Sequence, residues 1–281
     1  MNIKVSVDST CDLGEALMNQ YDITPLALTV NMRGKNYKDM ANIMPEDIYE
    51  YVDAGGDLPK TSAVNSEEYR NAFTLFLKSH DAVIHISLSS DMSSCYQNAC
   101  NAASGLNVFV IDSRNLSTGS GHLALIACEL AKQGMEAEKI AEVLNDTAKR
   151  VETSFVASRL DYLHKGGRCS AVAMLGANIL KIKPGIEVTD GVMGMGKKYR
   201  GTLERCLKQY VKDRLEGRTD IDTKRIFITH SSIEQKYVDM LKEEVEKYMK
   251  FDEVLVTRAS CTISSHCGDN CLGILYIRKG E

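Results

Sequence analysis

The chain has 281 residues, 44% hydrophobic and 26% charged, with a formal net charge of −4. That length can bury a large core in one large domain or two ordinary ones, and an acidic balance with no long Lys/Arg run argues against nucleic acid as the main partner. No apolar run reaches bilayer length, and the strand-like start MNIKVSVDST leads us to expect a cytoplasmic protein without a signal peptide.

In chain order, the apolar segment Ile3–Asp8 predicts a first strand ending in Asp8-Ser9-Thr10, with Asp12 placed to cap a helix over 13–21. Segments 23–31 and 35–39 read as a hairpin around Arg33-Gly34, and 45–52 as a short helix with Pro45 in its first turn. A loop over 58–65 precedes an amphipathic helix near 66–78, where Tyr69, Phe73, Phe76 and Leu77 share a face. A strand over 82–88 runs into SLSSDMSSCYQNAC, a hydroxyl-rich stretch that continues as the helix Cys95–Ala103. The next strand is Val108–Asp112, followed by more hydroxyls over 113–117 and by helices near 121–132 and 137–150. Beyond residue 152 the pattern changes. Segments 155–157 and 160–163 lead to Gly166-Gly167, 172–181 reads as an apolar helix, and 186–189 pairs with 192–195 around Asp190-Gly191. A helix over Leu203–Leu215, a strand 225–229, a helix 233–248 and strands 253–257 and 272–278 complete the chain. The alternation predicts an α/β protein: an N-terminal lobe over 1–151 with a mostly parallel sheet, and a smaller, mixed α/β lobe over 152–281.

Ligands of open α/β sheets bind beyond the C-terminal ends of the strands. Three strands there end in Asp8-Ser9-Thr10, Ser87-Leu88-Ser89-Ser90 and Asp112-Ser113, and Thr61-Ser62 adds two hydroxyls. Each alone is explained by capping or turn chemistry. Recurrence at one sheet edge makes the group a candidate binding site. A serine nucleophile would need a base and an orienting acid, yet no G-x-S-x-G elbow surrounds Ser93, and His85 sits inside an apolar strand as a core histidine. Cys95, at a helix start, is a second candidate nucleophile; an acyl-ester hydrolase therefore stays as the alternative reading. There is no phosphate-binding loop and no dinucleotide fingerprint. Hydroxyls and backbone N–H groups at a helix start suit an anion, with Ser93 and Ser94 in the first turn. A phosphate would also want a cation, which the stretches 164–168, 181–183 and 197–200 offer. Nine cysteines form no C-x-x-C pair, and Cys261, His266, Cys267 and Cys271 match no common zinc spacing, so no metal is expected.

Taken together, VDSTCDL at 7–13, Thr61-Ser62, SSDMSSCYQNA at 89–99, IDSRNLSTGSG at 111–121, DYLHKGGRCS at 161–170, ILKIKPGIEVTDG at 179–191, KKYRG at 197–201 and SSHCGDNCLGI at 264–274 resemble the DegV family of bacterial fatty-acid-binding proteins, over essentially the whole chain. The resemblance implies a two-lobed α/β protein that is no enzyme by itself. One long-chain fatty acid would lie in a tunnel between the lobes, with no other cofactor and no metal. A separate fatty acid kinase would phosphorylate its carboxylate to an acyl phosphate, and membrane contact would be transient, for lipid exchange. By position, Thr61 and Ser93 resemble the hydroxyls that hold the carboxylate, with Ser62 and Ser94 beside them. Arg168 and His266 match the residues facing the carboxylate and its phosphorylated form, and Arg200 resembles the arginine that docks the kinase. Tail-lining candidates are the apolar faces of 172–180 and 272–277, with Met174 and Met195. A fatty-acid-responsive regulator is a further alternative.

Three departures from the family pattern stand out. Ser93-Ser94-Cys95-Tyr96 replaces the usual S-G-T-Y, the proline after Thr61-Ser62 is missing, and the H-T-G-P-G-like turn reads His266-Cys267-Gly268-Asp269-Asn270. Energetically, a buried tail of about fifteen carbons gains on the order of 10 kcal/mol at ~0.8 kcal/mol per methylene, less several kcal/mol of ordering cost. Tail burial supplies the affinity; hydroxyls orient the head and satisfy a carboxylate that is costly to bury.

Overall fold

The computed structural model describes residues 1–169 and 182–280. The first half runs β1 (Ile3–Asp8), α1 (Gly14–Tyr21), β2 (Ile23–Leu26), β3 (Thr29–Met32), β4 (Lys35–Lys38), α2 (Pro45–Asp53), β5 (Lys60–Ser62), α3 (Ser66–Phe76), β6 (Ala82–Ser87), α4 (Cys95–Ala103), β7 (Val108–Asp112), α5 (Thr118–Lys132) and α6 (Ala137–Ala148). The second runs β8 (Val151–Val156), α7 (Leu160–Gly166), β9 (Lys183–Thr189), β10 (Val192–Tyr199), α8 (Leu203–Leu215), β11 (Arg225–Ser231), α9 (Gln235–Tyr248), β12 (Glu253–Arg258), α10 (Cys261–Cys267) and β13 (Cys271–Ile277).

The first sheet has the order β2-β1-β6-β7 and is parallel throughout. Its side chains alternate between two helix layers. Val5, Val7, Ile84, Ile86 and Ile111 pack with Leu123, Ile140 and Leu144 of α5 and α6. On the opposite face Val83 joins Tyr69, Phe73 and Ala99 of α3 and α4. A parallel sheet covered on both faces needs apolar residues at nearly every position, which is why β6 is buried along its whole length. A small antiparallel sheet, β4-β3-β5, stands beside it.

The second sheet has the order β10-β9-β8-β13-β11-β12, and only β11 and β12 run parallel. One face packs against α8 and α9 through Ile226, Ile228 and Ile274. The other faces the first half: Phe227 and Leu275 join the core around α5, while Phe155, Ile186 and Cys271 join the core around Val83. A further core joins Val30, Ile48 and Tyr49 to Tyr162 and Cys261, so three apolar cores draw residues from both halves. The architecture is α/β, a parallel sheet followed by a mixed one, and the mixed sheet is the wider of the two.

Some local expectations change. The segment 23–31 is not one hairpin arm. β2 pairs with β1 in the parallel sheet, and only β3 forms the hairpin with β4, turning through left-handed Arg33 and Gly34. Asp12 does not cap the helix that follows: α1 starts at Gly14 without a side-chain cap, and Asp12, left-handed and buried, ends a short 3-10 turn over Ser9–Cys11. Thr61 and Ser62 lie in strand β5 rather than a loop, with Thr61 opposite Val30. The apolar helix expected over 172–181, including Met174, lies outside the described residues. At Asp190-Gly191 the hairpin holds: both residues have positive φ, as a two-residue turn of this hand requires.

Candidate functional site

β1 connects to β2 on one side of the first sheet and β6 to β7 on the other, so the crevice beyond β1 and β6 is the topological switch point. Asp8 fills it. Its Oδ2 accepts from Ser87 Oγ at 2.9 Å and Leu88 N at 2.8 Å, and its Oδ1 accepts from Tyr69 Oη. His85 Nε2 stands 3.3 Å from the same Oδ1, and its Nδ1 meets Ser6 Oγ at 3.0 Å. Burial opposes the ionised form of Asp8, but the groups facing it, His85 foremost, hold the carboxyl below its ordinary range.

Two further buried aspartates tie the halves together. Asp39 accepts from Ser9 Oγ at 2.8 Å and from Cys261 N at 2.8 Å, anchoring the start of α10. Asp12 accepts from Ser117 Oγ at 2.6 Å and Ser260 N at 2.9 Å, and burial pushes its carboxyl up to about 7. Both fix α10 against the first half.

Between the two sheets lies a cavity of about 880 Å³, the open mouth included. Thr61 and Ser62 of β5, Ser93 before α4, Arg168 after α7 and His266 of α10 all line it. Apolar walls come from Leu28, Leu88, Leu116, Phe155, Met193 and Leu275. Thr61 Oγ1 and His266 Nε2 are 2.8 Å apart, joining two residues 205 positions apart in sequence. A Cβ at Gly166 would stand 2.6 Å from His266 Nδ1, so the first glycine of HKGGR lets the ring lie against α7. Burial, then the charge of Arg168, lowers the imidazole to about 4, which makes it neutral at pH 7. Arg168 is exposed and donates to Gly166 O at 3.0 Å.

Ser93 precedes the N-cap of α4: its Oγ accepts from Cys95 N at 3.2 Å and donates to Cys95 Sγ at 3.3 Å. Sulfur is a weak acceptor, so an incoming oxygen would be the better partner for this hydroxyl. Cys95 is fully buried, and burial together with the charge of Asp8 pushes its thiol up to about 12. A thiol so protonated is no nucleophile at neutral pH. The lining combines hydroxyls, a neutral imidazole and a cation with apolar walls, chemistry suited to recognition.

The residues singled out from sequence fall into groups. Thr61, Ser62, Ser93, Arg168 and His266 meet at the cavity. Ser94 is exposed at the N-cap of α4, outside the cavity lining. Arg200 is exposed just after β10. Within 272–277 only Gly273 and Leu275 reach the cavity, since alternate positions face α8 and α9, and Met193 rather than Met195 lines it. Sequence reasoning missed helix α10, whose signal was Ser260: its side chain accepts from Ile263 N. Among the described residues, no group of three or more His, Cys, Asp or Glu could hold a metal ion, and no helix is long and apolar enough to cross a membrane.

The profile of the DegV family, a family described as uncharacterised, matches residues 2–279. A DegV domain-containing protein of Clostridium acetobutylicum is 34% identical over 283 residues, 99% of each chain. Two solved structures share the fold at 29% identity, each covering 99% of this chain and 100% of its own. One is a DegV family protein of Thermus thermophilus described by its fatty acid binding, with a TM-score of 0.87. The other is DegV of Bacillus subtilis, described as a fatty acid binding protein, with a TM-score of 0.80.

Proposed function

The chain belongs to the DegV family, and we propose that it binds one long-chain fatty acid between its two sheets and presents the carboxylate to a separate fatty acid kinase. The observation that carries this reading is the cavity itself, whose apolar lining is joined by the Thr61–His266 pair with the charge of Arg168 near the imidazole. Thr61 and Ser93 donate to the carboxylate, with Ser62 beside Thr61 in the lining; Ser94, exposed outside it, takes no part. Arg168 supplies the cation that a phosphorylated head requires. His266, neutral when the cavity is empty, gains a favourable neighbour when a carboxylate arrives. The chain offers the acid and the kinase supplies the nucleotide chemistry, so acyl phosphate forms on a lipid that stays bound. Exposed Arg200 belongs to the kinase-docking surface in this reading.

Mass spectrometry of lipid extracted from the denatured, purified protein tests it. A long-chain fatty acid near one per chain is the expected result, and Arg200→Ala should keep that lipid while slowing its phosphorylation. A lipid-free preparation that does not take up added palmitic acid refutes the binding reading; equal loss of lipid and phosphorylation in Arg200→Ala refutes the docking role.

A further inference from the structure

Ser93 lines the cavity, and its partner Cys95 is fully buried outside the lining. Two hydrogen bonds join the pair, and they do different things. The Cys95 N–H donates to Ser93 Oγ at 3.2 Å, which fixes where the serine oxygen sits at the start of α4. Ser93 Oγ donates to Cys95 Sγ at 3.3 Å, which fixes only where the hydroxyl proton points. A hydroxyl proton turns to suit its surroundings while the oxygen stays in place.

Cys95 is held in turn by the core. It packs with Tyr69, Phe73 and Ala99, and its thiol interacts with the Tyr69 phenol. Tyr69 gives its proton to Asp8 Oδ1, so the phenol oxygen is left to the thiol as an acceptor. Burial and the charge of Asp8 keep that thiol protonated at neutral pH. Its S–H therefore has an oxygen to donate to, and its sulfur is left to accept from Ser93. Donation runs from Ser93 to Cys95 to Tyr69 to Asp8, starting at the cavity wall.

Sulfur is the weak acceptor in this chain. A hydroxyl held by sulfur gives up little on turning to an incoming oxygen, whereas one held by another hydroxyl gives up an ordinary hydrogen bond. We infer that Cys95 is a positioning residue that sets how tightly the cavity holds an acid head, because its sulfur holds the Ser93 proton loosely enough for a carboxylate to claim it. This inference rests on the fatty-acid reading above.

Palmitic acid binding to delipidated protein tests it. Cys95→Ser offers Ser93 an oxygen acceptor and should weaken binding about fivefold. Cys95→Ala removes the competing acceptor and should tighten binding about twofold. A residue that only packs would lose affinity in both variants, so the opposite signs mark the positioning role. In a Ser93→Ala background neither change should alter affinity, since the proton they act on is gone. Should Cys95→Ser fail to fold, Cys95→Thr supplies a hydroxyl acceptor with the same expectation. Weakening in both Cys95→Ser and Cys95→Ala, no change in either, or an effect that survives in Ser93→Ala overturns the Cys95 assignment alone. Wild-type protein that takes up no palmitic acid overturns the fatty-acid reading with it.

Discussion

Asp8, Asp12 and Asp39 on one hand, and Thr61, Ser93 and His266 on the other, come from the same kind of sequence, short polar clusters at or near the ends of strands and helices. They differ in what their polar atoms already hold. The aspartates each accept at least two hydrogen bonds inside the protein. The strand-end serines near them are likewise engaged: Ser89 donates to Gly191 O at 2.8 Å and Ser113 to Asn115 O at 3.0 Å. Thr61 and His266 hold each other across the cavity, and Ser93 donates only to a sulfur. Satisfied groups make a scaffold; weakly engaged ones beside empty space make a site.

The comparison breaks most visibly at Asp8. Replacing it with alanine strands Tyr69 Oη, Ser87 Oγ, Leu88 N and the His85 ring in a buried pocket. Asp8→Ala should cost about 3–5 kcal/mol in chemical denaturation; a loss below about 1 kcal/mol would remove Asp8 from the scaffold. Thr61→Val should do the reverse. It keeps the shape of β5 and removes one donor, so the denaturation midpoint should hold while fatty acid affinity falls about tenfold. If the midpoint moves and the affinity does not, Thr61 belongs with the aspartates.

The α/β alternation, the parallel first sheet and the 190–191 turn were legible because period, apolar runs and turn residues are local signals. The meeting of Thr61, Ser93, Arg168 and His266 was legible only through the family resemblance, since residues 205 positions apart carry no local mark of contact. Asp12 misled for the same reason. Its position before a helix reads as a cap, but burial between Ser117 and Ser260 N gives it partners far along the chain. The split of 23–31 between two sheets follows from tertiary pairing: β2 completes the parallel sheet, and no residue within it signals that choice.

His266 tests the central claim most directly, because its ring meets Thr61 on the cavity wall where we propose the carboxylate binds. With its ordinary value near 6.5 lowered to about 4 in the fold, the neutral ring favours the native state above about pH 6.5. That contribution is lost progressively as pH falls toward 4, where the folded protein must take up the proton. A bound carboxylate opposes the effects of burial and Arg168, so it should raise the imidazole pKa. NMR titration of histidine-labelled protein, delipidated and then loaded with a long-chain fatty acid, reads this shift. The account predicts titration near pH 4 when empty and at a clearly higher pH when loaded. A His266 that titrates at the same pH in both states would contradict it.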